Sequence, residues 1–358
     1  MLLFAVCAGV AISFLVIAKR ESIASATGLF DDASQKAHAR HIGKVPLIGG
    51  LAWFGSIIVF FATLASIVYL GSPLGLAVSE LADLAIYLVF VGSFFLLGAI
   101  DDLFGLSPRR RLFLSVAIVL MLIFASGGTF ILSGINDPFL RIAVQFGYLS
   151  SGVTVLAVVA LVNSLNMSDG RNGIVAGTAL LWSLALLSRS GHPIVITALV
   201  LSTINCLVIG WFNLKGRLFF GDAGTYAIAA AFACMTIFWH THTTLGRALT
   251  SLEVCSLFLV LVLDMVRLIF LRVREGRSPM AADHNHLHHR LDDRFGWHAG
   301  LAIYLGLVAL PIIIAFQEFR SSGALGNFIG GIAYVAVIYL TRRIDGPLDI
   351  PTGSARQQ

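Results

Sequence analysis

Carboxylates, amides and histidines gather in five short segments of a sequence that is otherwise almost entirely apolar. Of its 358 residues, 58% are hydrophobic and only 12% are charged. The five segments are His41–Pro46 (followed by Gly49-Gly50), Asp101-Asp102, Asn163–Gly173, Phe219–Gly224 and His284–His289. Carboxylates bind divalent cations and imidazole N–H groups donate to anions, so these residue types are suited to chemistry on phosphate groups.

The aspartates are candidates for metal and phosphate binding. Neighbouring residues on a helix point about 100° apart, so Asp101 and Asp102 would serve two different partners, such as a metal ion and a substrate phosphate. Asp222 lies in a Gly-Asp-Ala-Gly turn. A carboxylate there suits Mg²⁺, which takes a carboxylate or two and completes its shell with phosphate oxygens and water. Helix capping is the structural alternative for each of these residues.

The segment Asn163–Gly173 separates two long apolar stretches with asparagines, an aspartate and glycines. Irregular polar backbone at the depth of a membrane is tolerated only where protein or water covers it. The segment therefore predicts a polar pocket and not a plain connector.

The histidine tract allows three interpretations. Histidines at this density suit Zn²⁺, although no cysteine and few carboxylates stand nearby to complete a closed set of ligands. The tract would also fit a solvated amphipathic helix, or a phosphate site built from imidazole N–H groups.

Long apolar stretches must position these segments. Soluble domains average about 25% charged residues, and about 20 apolar residues in a row span a bilayer. We predict an all-α polytopic integral membrane protein with about eleven transmembrane helices. The predicted spans are residues 1–18, 47–70, 82–100, 112–127, 148–163, 174–189, 193–212, 223–240, 252–271, 299–316 and 324–341.

Lysines and arginines concentrate in alternate loops, which indicates the orientation of the chain. The loops at about 19–46, 101–111, 164–173, 213–222 and 272–298, with the tail after residue 341, hold 19 of the 24 basic residues, and the other loops hold four. This pattern is typical of membrane topology and not of a nucleic-acid surface. It places the N-terminus outside, and the C-terminus and all five polar segments in the cytosol. We expect one membrane domain, residues 1–345, and a cytosolic tail, residues 346–358.

In this order along the chain, the polar segments resemble those of the polyprenyl-phosphate N-acetylhexosamine-1-phosphate transferase family, membrane enzymes of glycosyltransferase family 4 type. The resemblance extends from about Arg40 to Arg290. It rests on Pro46…Gly49-Gly50, Asp101-Asp102, Asn166-Met167-Ser168-Asp169-Gly170, Phe220-Gly221-Asp222-Ala223-Gly224 and His286-Leu287-His288-His289 in combination.

The resemblance implies transfer of an N-acetylhexosamine-1-phosphate, most commonly GlcNAc-1-phosphate, from a UDP-sugar to undecaprenyl phosphate. UMP is released, and Mg²⁺ is required, with Mn²⁺ as a substitute. By the same resemblance Asp101 and Asp102 act on the lipid phosphate and the metal, and Asp222 and Asp101 are the metal ligands. The nucleotide and sugar would contact Asn166, Asp169, Asn172, Asn213, Phe219, His286, His288 and His289. The lipid phosphate would contact His41, Lys44, Arg109 and Arg111, although Arg109 to Arg111 would also serve simply to orient the helix that follows.

An enzyme of this kind would lie in the bacterial inner membrane with its active site facing the cytosol, and would start a cell-surface polysaccharide such as O-antigen. The sugar stays open between GlcNAc and a deoxysugar such as FucNAc or QuiNAc. Direct attack by the lipid phosphate and a covalent enzyme intermediate are both open, as is a homodimer.

One residue departs from the family's pattern, and one pair of charges suggests a different functional class. Many members of the family have an aspartate three residues after Asp169, where this sequence has Asn172. Asp264 and Arg267 lie three residues apart inside an apolar stretch. Intramembrane charges of this kind are typical of transporters, so a membrane transporter is the alternative from a different functional class.

Overall fold

The computed structural model describes residues 1–32, 43–70, 78–137, 141–241, 248–281, 285–317 and 322–341. These residues form thirteen α-helices and two pairs of short antiparallel strands. The helices are α1 Leu2–Ala18, α2 Arg20–Thr27, α3 Gly49–Tyr69, α4 Val78–Phe104, α5 Pro108–Ala125, α6 Ser150–Ser168, α7 Ile174–Leu187, α8 Pro193–Leu214, α9 Gly221–Thr241, α10 Ser251–Arg274, α11 Leu287–Phe295, α12 Trp297–Ala315 and α13 Ser322–Leu340. The strands are β1 Phe30–Asp32, β2 Lys44–Pro46, β3 Gly134–Asp137 and β4 Ile142–Gln145; β1 pairs with β2 and β3 pairs with β4.

Each of the eleven predicted spans falls on a helix, and the predicted all-α polytopic membrane fold is confirmed. Within the described residues, eight helices are long and apolar enough to cross a membrane, or nine if α1 and α2, bent by 70° to each other, form one span. Helix α7 has 14 residues, a length of about 21 Å against a hydrocarbon core of about 30 Å. Helix α5 begins with three arginines. The number eleven therefore stays a prediction.

Helix α6 is longer than the predicted span at 148–163 and continues through most of the polar segment that follows. Ser164 and Ser168 donate side-chain hydrogen bonds to the carbonyls of Leu161 and Ser164, at 3.0 and 2.8 Å. Such bonds to the preceding turn satisfy a hydroxyl on a helix surface, so these serines do not interrupt the helix. The irregular part is short, residues 169–173, and Asn166 is a helical residue.

Helix α9 lies at the centre of the bundle. Sixteen of its 21 residues are buried, many of them alanine or glycine, and it packs against α3, α4 and α6. Small side chains allow neighbouring helices in a membrane to approach closely. The closest approaches are at Gly50 of α3 and Gly98 of α4, where an added Cβ would collide with the backbone of Gly224 and of Asp222 respectively. The first turn of α9 is thus held between two glycines.

Candidate active site

Three helix ends meet on one side of the bundle and bring together polar segments that are far apart in sequence. Asp101 and Asp102 lie in the last turn of α4, Asn166 in the last turn of α6, and Asp222 in the first turn of α9. Hydrogen bonds join the side chain of Asp102 to the backbone of Asp222 and the side chain of Asn166 to the carboxylate of Asp222.

Asp102 caps the N-terminus of α9 from the neighbouring helix. Its two carboxylate oxygens accept hydrogen bonds from the backbone N–H groups of Asp222 and Ala223, at 2.9 and 3.0 Å. The first N–H groups of a helix have no partner within the helix, and an anion at that end is favoured by the helix dipole. Gly221 has φ +68°, and a Cβ there would lie 2.6 Å from the carboxylate. Asp102 therefore caps α9 in this structure, and its action on the lipid phosphate and the metal stays a prediction.

Asp101 is buried and already well supplied with donors. One oxygen accepts from the backbone N–H of Leu106 at 2.8 Å. The other accepts from Arg111 at 3.1 Å and from the Tyr226 hydroxyl at 3.2 Å. Its side chain is only 4% exposed. These contacts make Asp101 the fixed anchor for the Arg111 guanidinium.

Asp222 is the more accessible carboxylate of the two that face Arg111. Its side chain is 31% exposed, and its Oδ2 lies 3.9 Å from Arg111 Nη1. Its Oδ1 accepts a hydrogen bond of 2.6 Å from Asn166 Nδ2, which also lies 3.3 Å from the Thr225 hydroxyl. Asn166 thus fixes one oxygen of Asp222, and the other oxygen faces the guanidinium of Arg111.

The arrangement fits Mg²⁺ better than Zn²⁺. Among the described residues, no group of three or more His, Cys, Asp or Glu side chains is placed to hold a metal ion by itself, and Zn²⁺ requires three or four such ligands. Mg²⁺ binds through one or two carboxylates and takes its remaining ligands from water and substrate phosphates. Arg111 contacts both Asp101 and Asp222, so a single cationic group is within reach of both carboxylates.

Asp169 follows α6 directly and brings further negative charge to the site. Burial, together with the negative charges of Asp102 and Asp31, raises the pKa of the Asp169 carboxyl to about 7. Phe219 donates its backbone N–H to Pro46 of β2, and β2 pairs with β1, so this pair of strands approaches the same side of the bundle. Charged groups that repel one another are a common property of sites that bind cations.

The histidine tract meets the end of this same segment. His288, on α11, is buried, and its ring lies against Gly170 so closely that an added Cβ would collide with Nε2. The rings of His286, His288 and His289 have centroids 4.2 to 6.0 Å apart. The predicted convergence of these histidines with the Asn166–Gly173 segment is therefore present in the fold, and His284 lies outside the described residues.

Asn213 and Phe219 hold main chain together. The buried Asn213 amide accepts from the Gly173 N–H at 2.7 Å and donates to the Leu218 carbonyl at 3.1 Å. Phe219, half-buried, donates its N–H to Pro46 and accepts from Gly49. Both polar atoms of the Asn213 amide are engaged in these two bonds. Of the two residues, Phe219 therefore has the side chain that is better placed for the predicted nucleotide contact, through its phenyl ring.

The remaining predicted residues are more peripheral. Asn172 is half-buried beside Gly216. Lys44 is largely exposed and forms an ion pair of 3.4 Å with Asp32. Arg109 is exposed on the first turn of α5, two residues before Arg111. His41 lies outside the described residues.

Several residues of the site were not found from the sequence. Tyr226 contacts Asp101 from the position four residues after Asp222, and that helical spacing places both on one face of α9. Arg171 forms an ion pair with Asp292 and lies 5.1 Å from the Trp297 ring. The four-residue spacing from Asp222 could have identified Tyr226 from the sequence. No local sequence pattern predicts the ion pair between Arg171 and Asp292 of α11.

Comparisons with known proteins agree with this geometry. The sequence model of glycosyl transferase family 4 matches residues 84–240, which include Asp101, Asp102 and Asp222. The undecaprenyl-phosphate alpha-N-acetylglucosaminyl 1-phosphate transferase of Salmonella typhi is 29% identical over 313 residues, covering 84% of this chain and 78% of the relative. The enzyme of that name in Escherichia coli (strain K12) is 27% identical with the same coverage.

A Bacillus subtilis (strain 168) protein called a probable undecaprenyl-phosphate N-acetylglucosaminyl 1-phosphate transferase is 25% identical over 279 residues, covering 75% of this chain and 71% of the relative. The family match, these relatives and the convergence of the polar segments at three helix ends lead to one conclusion. The chain is similar to members of glycosyl transferase family 4 and is a membrane-embedded transferase.

Proposed function

We propose that this enzyme transfers N-acetylhexosamine-1-phosphate, with GlcNAc as the first candidate, from a UDP-sugar to undecaprenyl phosphate, and that it requires Mg²⁺. The names of its relatives support the acceptor and the sugar. A UDP-linked deoxysugar such as UDP-FucNAc or UDP-QuiNAc is the alternative donor. The enzyme would lie in the bacterial inner membrane with this site facing the cytosol, and would initiate a cell-surface polysaccharide such as O-antigen.

The observation that carries the proposal is the partly exposed carboxylate of Asp222 at the junction of α4, α6 and α9. Its companion Asp101 is buried and engaged. Two polyanionic substrates can approach each other only where cationic groups compensate their charge. Arg111 and a divalent cation at Asp222 would supply that compensation, and the apolar helices would surround the lipid tail.

The reaction exchanges one pyrophosphate bond for another. In the direct mechanism, an oxygen of the lipid phosphate attacks the β-phosphorus of the UDP-sugar. The bond from that phosphorus to the bridging oxygen breaks, and the bridging oxygen leaves with UMP. The attacking phosphate is already anionic at neutral pH, so no strong base is needed. Mg²⁺, when bound, would neutralise phosphate charge and orient the attack.

The chain's own residues would prepare the site for this exchange. Asp102 fixes the N-terminus of α9 and with it the position of Asp222. Asn166 fixes the rotamer of Asp222 through its bond to Oδ1. Arg111 is held by Asp101 with its guanidinium toward Asp222, where it would contact a substrate phosphate.

The direct test is an assay of the purified protein for UMP release. It uses UDP-GlcNAc and undecaprenyl phosphate, with and without Mg²⁺, and repeats the assay with UDP-FucNAc and UDP-QuiNAc. We expect release that requires both the lipid and the metal. Asp83→Asn is the control for substitutions at the site, and it should release UMP as the wild type does. Asp83 lies on α4 with Asp101 but about 27 Å away by helical rise. Absence of lipid-dependent UMP release from every UDP-sugar would refute the proposal.

A further inference from the structure

The charged pair Asp264 and Arg267 lies within α10, away from the three helix ends described above. Both side chains are largely buried, and Asp264 Oδ1 accepts from Arg267 at 2.7 and 3.1 Å. Tyr334 of α13 donates to Asp264 at 2.9 Å and accepts from Arg267 at 2.9 Å. Burying an ion pair in an apolar helix is costly and needs a compensating role.

The remaining contacts of this pair go to the main chain on both sides of His286. Asp264 Oδ2 accepts from the backbone N–H of Leu287 at 3.1 Å. Arg267 Nη2 donates to the backbone carbonyl of Asn285 at 2.6 Å. The ion pair therefore forms hydrogen bonds to the peptide groups on both sides of His286.

The same contacts supply the N-terminal cap of α11. Leu287 is the first residue of this helix, and the N-cap residue His286 makes no side-chain capping bond. A helix of nine residues is too short to be stable through its own hydrogen bonds. A carboxylate that accepts from its first N–H group, and lies at the positive end of its dipole, stabilises the helical conformation.

Side chains further along α11 also bind it to the bundle. Arg290 donates to the carbonyl of Ile338 at 2.9 Å and to the Thr341 hydroxyl at 3.3 Å, and Asp292 pairs with Arg171. With its N-terminus held by α10 and its other face by α13, α11 has one orientation, in which His288 reaches Gly170.

We infer that Asp264 and Arg267 are positioning residues that hold His286, His288 and His289 in place for the sugar nucleotide. The inference rests on the proposed function for the ligand that these histidines meet. It also accounts for the intramembrane charges without a transport pathway: the two charges pair with each other, Asp264 bonds to the first N–H of α11, and Arg267 bonds to the Asn285 carbonyl just before it.

Hydrogen exchange of the full-length protein in detergent tests this positioning independently of activity, because it measures how fast the backbone amides of α11 exchange. Asp264→Ala removes the cap, so we expect the amides of residues 287–290 to exchange about tenfold faster or more. Glu253→Ala is the matched control, since Glu253 also pairs with an arginine and lies at the other end of α10. Although this change destabilises the protein, it should leave exchange at 287–290 unchanged, because the amides of a short peripheral helix exchange by local opening and not by global unfolding. If Asp264→Ala does not fold, Arg267→Lys should still speed exchange at 287–290, but by less, because it loses the forked donor to Asp264 and the Asn285 carbonyl and keeps the Asp264 cap on Leu287.

Kinetics then separate positioning from simple stability. Asp264→Ala should raise KM for UDP-GlcNAc about tenfold, the effect of losing roughly one hydrogen bond to a charged group. KM for undecaprenyl phosphate should not change. Asp264→Asn, which keeps an oxygen for the Leu287 N–H, should recover most of the loss. In a His288→Ala background the Asp264→Ala change should add less than about threefold, because residues that act through one another are not additive.

Unchanged exchange at residues 287–290, or full additivity with His288→Ala in an active enzyme, would overturn the inference. If the wild-type protein releases no UMP, the proposed function fails, and the exchange measurement still decides whether the pair holds α11.

Discussion

Two clusters of carboxylates and arginines lie at opposite ends of the helix bundle. At the first turn of α9, Arg111 faces Asp101 and Asp222. At the first turn of α10, Arg189 pairs with Glu253 at 3.0 Å. Glu253 also completes a capping box with Thr250, and Arg189 donates to the carbonyl of Gln317 at 3.1 Å.

The two clusters differ in the accessibility of their carboxylates. The side chain of Glu253 is 4% exposed, as is that of Asp101, whereas that of Asp222 is 31% exposed. One oxygen of Glu253 accepts a hydrogen bond from Arg189, and the other accepts from the backbone N–H of Thr250. Asp222 has one oxygen held by Asn166 and the other directed at a cation. Satisfied, enclosed carboxylates hold helices together, and a held but accessible carboxylate is suited to a substrate or metal.

The largest expected effect that tests this difference is on Asp222. Asp222→Asn keeps the size and the hydrogen bond to Asn166 but removes the charge that would hold Mg²⁺. We expect the rate of UMP release at saturating Mg²⁺ to fall about a thousandfold, because a positioned metal contributes several kcal/mol to transition-state stabilisation. The melting temperature in detergent should stay close to that of the wild type. Retention of a large part of the activity would mean that Asp222 does not bind the metal.

Glu253 should show the opposite behaviour. Glu253→Ala leaves Arg189 buried without its carboxylate and breaks the capping box, which costs about 3–5 kcal/mol of stability. We expect a clear fall in melting temperature, measured in the same detergent, and unchanged kcat and KM below the transition. Loss of activity in fully folded Glu253→Ala protein would contradict the division between the two ends of the bundle.

The sequence was sufficient to predict the helices and the convergence of the polar segments. Apolar length identifies a span, because the membrane excludes other structures. It was insufficient for the helix ends. Asn166 was assigned to a loop, yet α6 continues through Ser168 because its serines bond to the preceding turn. The motif Gly49-Gly50 was recognised by resemblance, and its physical reason, the close approach to α9, appears only in three dimensions.

The roles of individual site residues were harder to predict than the site itself. Adjacent aspartates on α4 were expected to serve a metal and a phosphate, which stays a prediction; the sequence did not show that Asp102 also caps a helix 120 residues away. Asn213 is polar and near the site, but its amide joins Gly173 to Leu218. The sequence shows which side chains are polar. It does not show which of them form hydrogen bonds to backbone groups, because those bonds depend on long-range packing.

Asn172 tests how far the polar pocket extends beyond Asp222. An amide can accept a hydrogen bond from the uracil imide N–H and donate to a neighbouring carbonyl, whereas a carboxylate only accepts. Asn172→Ala should therefore raise KM for the UDP-sugar by an amount equivalent to about 1–3 kcal/mol, through an unpaired polar edge. Asn172→Asp should be tolerated. A collapse of kcat with unchanged KM would instead give Asn172 a part in the chemical step.

The smallest expected effect concerns the histidines of α11, and it is no effect at all. If His286, His288 and His289 bind phosphate, a chelator that removes Zn²⁺ but spares Mg²⁺ should leave UMP release unchanged. Among the described residues, no three His, Cys, Asp or Glu side chains are placed to hold one metal ion, and the buried ring of His288 lies against Gly170. As a positive control, EDTA should abolish activity, and added Mg²⁺ should restore it without Zn²⁺. Metal analysis of the purified protein completes the test: stoichiometric Zn²⁺ whose removal stops turnover would replace the phosphate site with a zinc site. In that case both ends of the site, and not only Asp222, would depend on a metal ion.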